Sequence, residues 1–227
     1  MRVDGALLLR MEGGGTNPAI APRGPERDTA RAMPQENVEI VRGVRTPVTV
    51  STETRRRTLD ERIFVLFPAL LPMLASAWSR LPPRSRLRRA WISRIVRQGC
   101  EAANRRDFEL LFLLIEPEIE FQYGDGSPVG GFVPPDQLGV HRGYEAYRRL
   151  WGAGDEAWDD LKLQHEEVID FGDRLIAAGR RTGHGRSTGI SLNEPVFQVV
   201  TLRRGMVIRQ EDFADRDKAL EAAGLRK

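Results

Sequence analysis

The sequence predicts an α+β fold: a cone-shaped, curved antiparallel sheet covered by helices that precede it, with a further helical segment inserted ahead of them. Three observations carry this. Trp91, Ile92, Ile95, Val96, Cys100 and Ala103 recur at helical spacing and form one apolar stripe opposite an arginine-rich side. From Leu161 the apolar period shortens to that of strands. Those strands are joined by tight turns, Asp170–Asp173 and Arg204–Gly205, so they form consecutive hairpins. Antiparallel sheets commonly bury one face. The preceding helices are the natural cover, and a strongly bent sheet leaves a hollow beneath them.

The chain divides by charge. Residues 1–100 hold 18 arginines against 9 acidic residues, a net of +9, so the remainder carries −6 to give the overall +3. A hydrophobic content of 41% is ordinary for a globular chain, and 227 residues suffice for one good-sized domain with extra segments. A lone cysteine, Cys100, excludes an intrachain disulfide and a multi-cysteine zinc site, which points to a reducing, cytoplasmic compartment. Residues 11–32 mix Gly, Pro, Arg and Thr without periodicity. Residues 1–33 together read as a disordered tail, with Met33 a second candidate start and no signal-peptide pattern.

Residues 34–90 read as a basic helical extension or insertion. Ile63–Trp78 is a 16-residue run without a charge, interrupted by Pro68 and Pro72 and flanked by Arg55–Arg57 and Arg80. Three readings stand: helices packed on the main domain or on a dimer partner, a segment lying on an anionic membrane, or a span, for which about 20 apolar residues are needed. Arginines from Arg80 to Arg97 could contact phosphate. They lack the aromatic platform of a single-strand binder and any nucleic-acid motif, so no nucleic-acid partner is expected. Weak peripheral membrane contact through residues 55–97 remains open. The extension is expected to be dispensable; aggregation of the chain without residues 34–90 would instead make it an integral layer.

The main domain, 91–227, follows in order. Cys100 lies on the apolar stripe and is expected to be buried. Asp107 is placed to cap a second helix whose inner face is Leu110, Leu111 and Leu114, with Pro117 as its stop. Ile119, Phe121 and Tyr123 alternate with polar residues as a half-buried strand, and Gly124–Gly139 is a Gly/Pro-rich loop. Tyr144, Tyr147, Leu150 and Trp151 mark a third helix. Strands are predicted over Leu161–Ile169, Leu175–Arg181, Pro195–Arg203 and Met206–Phe213, and a closing helix over Asp215–Ala223.

The segment Arg94–Phe108, the His141-Arg142-Gly143 turn before a helix, and the ending Phe197–Leu225 together resemble a SnoaL-like domain. That family belongs to the nuclear transport factor 2-like superfamily, with polyketide cyclases and ketosteroid isomerases. Glu39-Ile40-Val41-Arg42 resembles the usual family opening, and Arg94-Ile95-Val96-Arg97 repeats it, with the interval read as an insertion. The resemblance implies a largely apolar, cofactor-free pocket with one or two acid–base groups, a small hydrophobic ligand and a homodimer. It places the cyclases' proton-shuttling Asp at Asp212, although Gln210 stands where their pattern has His.

Each candidate has a plainer reading. Asp212 is either catalytic or, with Glu211, a strand end facing water or paired with arginine. His141 is a general base or a turn residue. Tyr144 donates a hydrogen bond to substrate or belongs to the core, and Trp151 lines the pocket or does likewise. Tyr123, Gln198 and Gln210 are further candidates for substrate contact. His165, beside Glu166 and Glu167, has no metal-ligand spacing and is expected on the strand's surface. The three histidines are about 20 residues apart, so no metal site is expected. Gly183-His184-Gly185 with Gly189 misses the dinucleotide spacing and does not open a helix. Two functions remain: acid–base chemistry on a small hydrophobic substrate (cyclisation, isomerisation or dehydration), or a non-catalytic ligand-binding or dimerisation module.

Overall fold

A computed structural model describes residues 43–50, 56–123 and 139–225. The predicted tail 1–33, the opening at Glu39–Arg42, the loop residues 124–138 and the side chain of Tyr123 lie outside the described residues.

Within the 34–90 segment there is a strand as well as helices. β1 (Val44–Pro47) is followed by α1 (Leu59–Leu66) and α2 (Leu70–Ser79). The Glu61 side chain folds back to accept the Thr58 N–H at 2.8 Å at the start of α1. The chain breaks at Phe67-Pro68, where proline has no N–H to continue the helix, and α2 leaves at 105° to α1. Ser85 caps α3 (Arg86–Asn104) and Asp107 caps α4 (Phe108–Leu111), as expected of Asp107. Pro117 is not the helix stop. The helix gives way at Leu111 to a 3-10 turn (Phe112–Leu114), and β2 (Ile115–Tyr123) already contains Pro117. There the pairing of β2 with its neighbour is irregular, between Ile115 and Glu120, so the missing N–H costs no ladder bond.

β3 (His141–Arg142) leads into α5 (Gly143–Ala157). Then come β4 (Trp158–Asp170), β5 (Arg174–Gly185), β6 (Ser191–Arg203), β7 (Met206–Phe213) and α6 (Arg216–Ala222), the last capped by Asp215. The described strands form one curved, unclosed sheet in the order β1-β4-β5-β6-β7-β2-β3. Its neighbours pair antiparallel except β2 with β7, so the sheet is mixed. Arg204 and Gly205 both have positive φ, 54° and 79°, matching the two-residue hairpin turn predicted there.

Consecutive residues on these strands serve opposite faces. Val168, Leu175 and Val200 pack with Trp91 and Ile92 of α3. Their neighbours Ile169, Ile176 and Val199 pack with Phe213 and with Ala219 and Leu220 of α6. The strand period of two, loaded with apolar residues on both sides, therefore accounts for helices on both faces. α2 closes the remaining side, where Leu71 meets Ala102 and Leu110.

Candidate functional site

Between α2, α3, α5 and the sheet lies a cavity of about 160 Å³. All six residues of the predicted stripe on α3, from Trp91 to Ala103, line it, and α2 adds Leu71, Ala75 and Trp78. The sheet contributes Leu163, Leu175, Val200, Leu202 and Val207. Against this apolar wall stands a small polar group: His165 on β4, Gln198 on β6, Gln210 on β7 and Tyr147 on α5.

Strand register brings these together. Gln198 is paired with Asp212, and His165 with Gly179, two residues along β5 from Ala177, the other partner of Gln198. Asp212 is buried and accepts four contacts. Arg181 Nη2 donates to Oδ2 at 2.8 Å, Gln198 Nε2 to both oxygens at 3.0 and 3.2 Å, and Gln210 Nε2 to Oδ1 at 3.0 Å. Asp212 does not itself line the cavity, whereas Gln198 and Gln210 do. Tyr147 donates to Gln210 Oε1 at 3.4 Å, and burial pushes its phenol up to about 12.

His165 departs from expectation. It is not a surface residue but 6% exposed. It alternates with Leu163 on one face of β4, and a bulge between His165 and Glu167 then shifts the register so that Val168 continues that face. Neither ring nitrogen has a hydrogen-bond partner among the described residues. Burial pushes its imidazole down to about 4. The Asp212 carboxylate and the Gln198 amide pull the other way, but the Gln198 nitrogen is committed to Asp212. The ring is therefore neutral at pH 7, with one donor and one acceptor at the cavity wall. Cys100 is buried as expected; its thiol donates to the Leu163 carbonyl at 2.9 Å, and burial pushes it up to about 12, so it is no nucleophile.

Of the residues predicted for the site, Gln198, Gln210 and Trp151 line the cavity, and Asp212 is held by two of them. Trp151 also carries the Arg106 guanidinium 4.7 Å from its ring centre. Tyr123 stands opposite Asp212 in the β2–β7 register. Tyr144 and His141 lie elsewhere. The Tyr144 hydroxyl donates to the Ile115 carbonyl at 2.6 Å while its ring stacks on Phe112. His141 stacks on Phe121 at the edge strand β3. Three participants were missed: His165, Tyr147 and Arg181. Tyr147 sits one helical turn before Trp151, and that spacing is a usable signal. Arg181 lies beside Arg180 in β5, so the sequence does not single it out.

A curved, unclosed mixed sheet with helices over its hollow defines a cone-shaped α+β fold. The chain belongs to the SnoaL-like domain family, whose pattern its residues 96–210 match. Among solved structures it is similar to an NTF2-like protein of unknown function from Burkholderia pseudomallei. Identity there is 20%, coverage is 56% of this chain and 93% of that one, and the TM-score is 0.47. It is also similar to an NTF2-like protein from Burkholderia thailandensis, with 27% identity, 58% and 94% coverage, and a TM-score of 0.46. A third is a protein with a ketosteroid isomerase-like fold from Catenulispora acidiphila, in complex with trimethylamine, with 13% identity, 57% and 92% coverage, and a TM-score of 0.44. No match is found among curated proteins.

Proposed function

We propose that the cavity binds a small hydrophobic molecule carrying one carbonyl or hydroxyl group, and that the protein moves a proton on it without a cofactor, as in cyclisation, isomerisation or dehydration. The observation that carries this is His165: a buried imidazole at the wall of an apolar cavity, with neither nitrogen hydrogen-bonded among the described residues. Such a ring offers an acceptor and a donor to one polar group of a ligand, and it can take up and return a proton. Asp212 acts from behind, holding Gln198 and Gln210 toward the cavity while Arg181 balances its charge.

Size narrows the ligand. A dry apolar cavity of about 150 Å³ is enough for benzene, whereas drug-sized ligands occupy about 300 Å³ or more. At about 160 Å³ the cavity suits a single-ring compound rather than a fused polycycle.

A thermal-shift and native mass-spectrometry screen tests this, comparing single-ring ketones and phenols with steroid-like and polyketide-like compounds. Single-ring carbonyl compounds are expected to stabilise the chain, with turnover lost in His165→Gln and reduced in Asp212→Asn. Binding confined to multi-ring compounds, or turnover unchanged in His165→Gln, would refute the reading. The second function, a non-catalytic binding module, is favoured by the full hydrogen-bonding of both Asp212 oxygens. It predicts binding without turnover in wild type and variants alike.

A further inference from the structure

We infer that the α1–α2 face docks on an anionic lipid surface. Leu59, Ile63, Leu66, Phe67, Met73 and Leu74 project from this bent helix pair, with exposures from 37% to 77%. With Leu70 these are seven large apolar side chains on two short consecutive helices and the link between them, more than the scattered singles of an ordinary surface. The charge around them is mostly positive, the partly exposed Asp60 of α1 and Glu109 being paired with Arg94 and Arg57. No acidic residue occurs between Glu61 and Glu101, and both of these are buried. Across that interval Arg62, Arg80, Arg84, Arg86 and Arg97 are exposed and make no ion pair with a described residue.

Charge selects the occupant. A second copy docked through the same face would set one arginine set against the other. The chain's own first 42 residues hold six arginines and six acidic residues, so they bring no net negative charge to it. Anionic headgroups neutralise the arginines while the apolar side chains enter the acyl boundary, the arrangement of an interfacial helix. No single described helix is long and apolar enough to span; α1 and α2 reach that length and apolarity only together, and the 105° bend between them suits lying on the surface. Buried residues of the same helix, Leu71 and Ala75, line the cavity, so a docked face would set that cavity beside the lipid boundary where apolar molecules partition.

Sedimentation of the full chain with vesicles is the test. It should pellet with phosphatidylcholine vesicles containing phosphatidylglycerol and stay soluble with phosphatidylcholine alone. High salt should weaken binding, because exposed charges are then screened. Arg84→Gln with Arg86→Gln should weaken it about 25-fold, roughly fivefold per arginine. Phe67→Ser with Met73→Ser, both at exposed positions, should abolish it. Pelleting that survives the Phe67/Met73 change would mean diffuse charge attraction and overturn the inference. So would failure to pellet, and so would a concentration-dependent dimer, lost in that variant, in place of vesicle binding. Neither Phe67 nor Met73 lines the cavity, so ligand-induced thermal shifts should be unchanged in that variant, and the two proposals fail separately.

Discussion

At His165 the physics turns on a proton. Its folded pKa of about 4 lies below the unfolded value of about 6.5, so between those values the unfolded chain binds a proton that the folded chain does not. Stability should therefore be full above pH 6.5 and fall as pH drops toward 4, by about 3 kcal/mol from this group. Urea denaturation of wild type and His165→Gln across that range should show a shallower acid loss in the variant. Arg181 and Asp212 are buried together, with 8% and 6% of their side chains exposed. Removing one partner of such a pair leaves an uncompensated buried charge. Arg181→Met is expected to cost about 3–5 kcal/mol, and adding Asp212→Leu to recover part of it. A double-variant loss equal to the sum of the Arg181→Met and Asp212→Leu losses, by equilibrium denaturation, would show that the pair is not coupled.

Elements set where these residues point. The bulge in β4 beside His165 depends on Gly179, where a Cβ would stand 1.8 Å from the Gln164 carbonyl oxygen. Backbone cannot yield as a flexible side chain can. Gly179→Ala should cost about 3 kcal/mol, the upper end for overpacking, and should displace His165. Urea denaturation reads the first effect, and the shift of the His165 imidazole NMR resonance the second. On α2, Leu71 is 2% exposed and packs against Ala102 and Leu110 while lining the cavity. Leu71→Ala should cost about 3 kcal/mol by thermal denaturation and enlarge the cavity, so that larger ligands stabilise it better than they stabilise wild type.

Across the whole molecule, the family match begins at residue 96, so β1, α1 and α2 lie outside it. They are nonetheless built into the domain. β1 pairs with the outer edge of β4, and Gly205 brings its backbone against the Ala75 carbonyl of α2. Arg88 ties the parts together: it donates to both oxygens of Asp170 at 2.7 and 2.9 Å, to the carbonyls of Ser79 and Leu81 at 2.7 and 2.9 Å, and to that of Gly172. Deleting residues 34–90 would remove Arg88, leave the buried Asp170 carboxylate without its cation, uncover the β4 edge and open the cavity. The truncated chain is expected to aggregate, with light scattering as the measurement; a soluble, cooperatively melting product would show the segment to be dispensable.

The sequence alone determined the order of the main domain's helices and long strands, the turns at Asp170–Asp173 and Arg204–Gly205, the cap at Asp107 and the apolar stripe of α3, because periodicity and turn chemistry are local, and its resemblance to known segments gave the family. The family resemblance marked Asp212 and Gln210, with Gln198 a strand-borne candidate beside them. Tertiary structure decided the rest. Whether His165 faces inward depends on a one-residue bulge, and a one-residue slip sends a strand's side chains to the opposite face. That Arg181 reaches Asp212, that the Tyr144 hydroxyl is taken by a backbone carbonyl, and that α2 walls the cavity are pairings between residues far apart in the chain. Such contacts follow from how the sheet curves and what packs into its hollow, which no local spacing encodes.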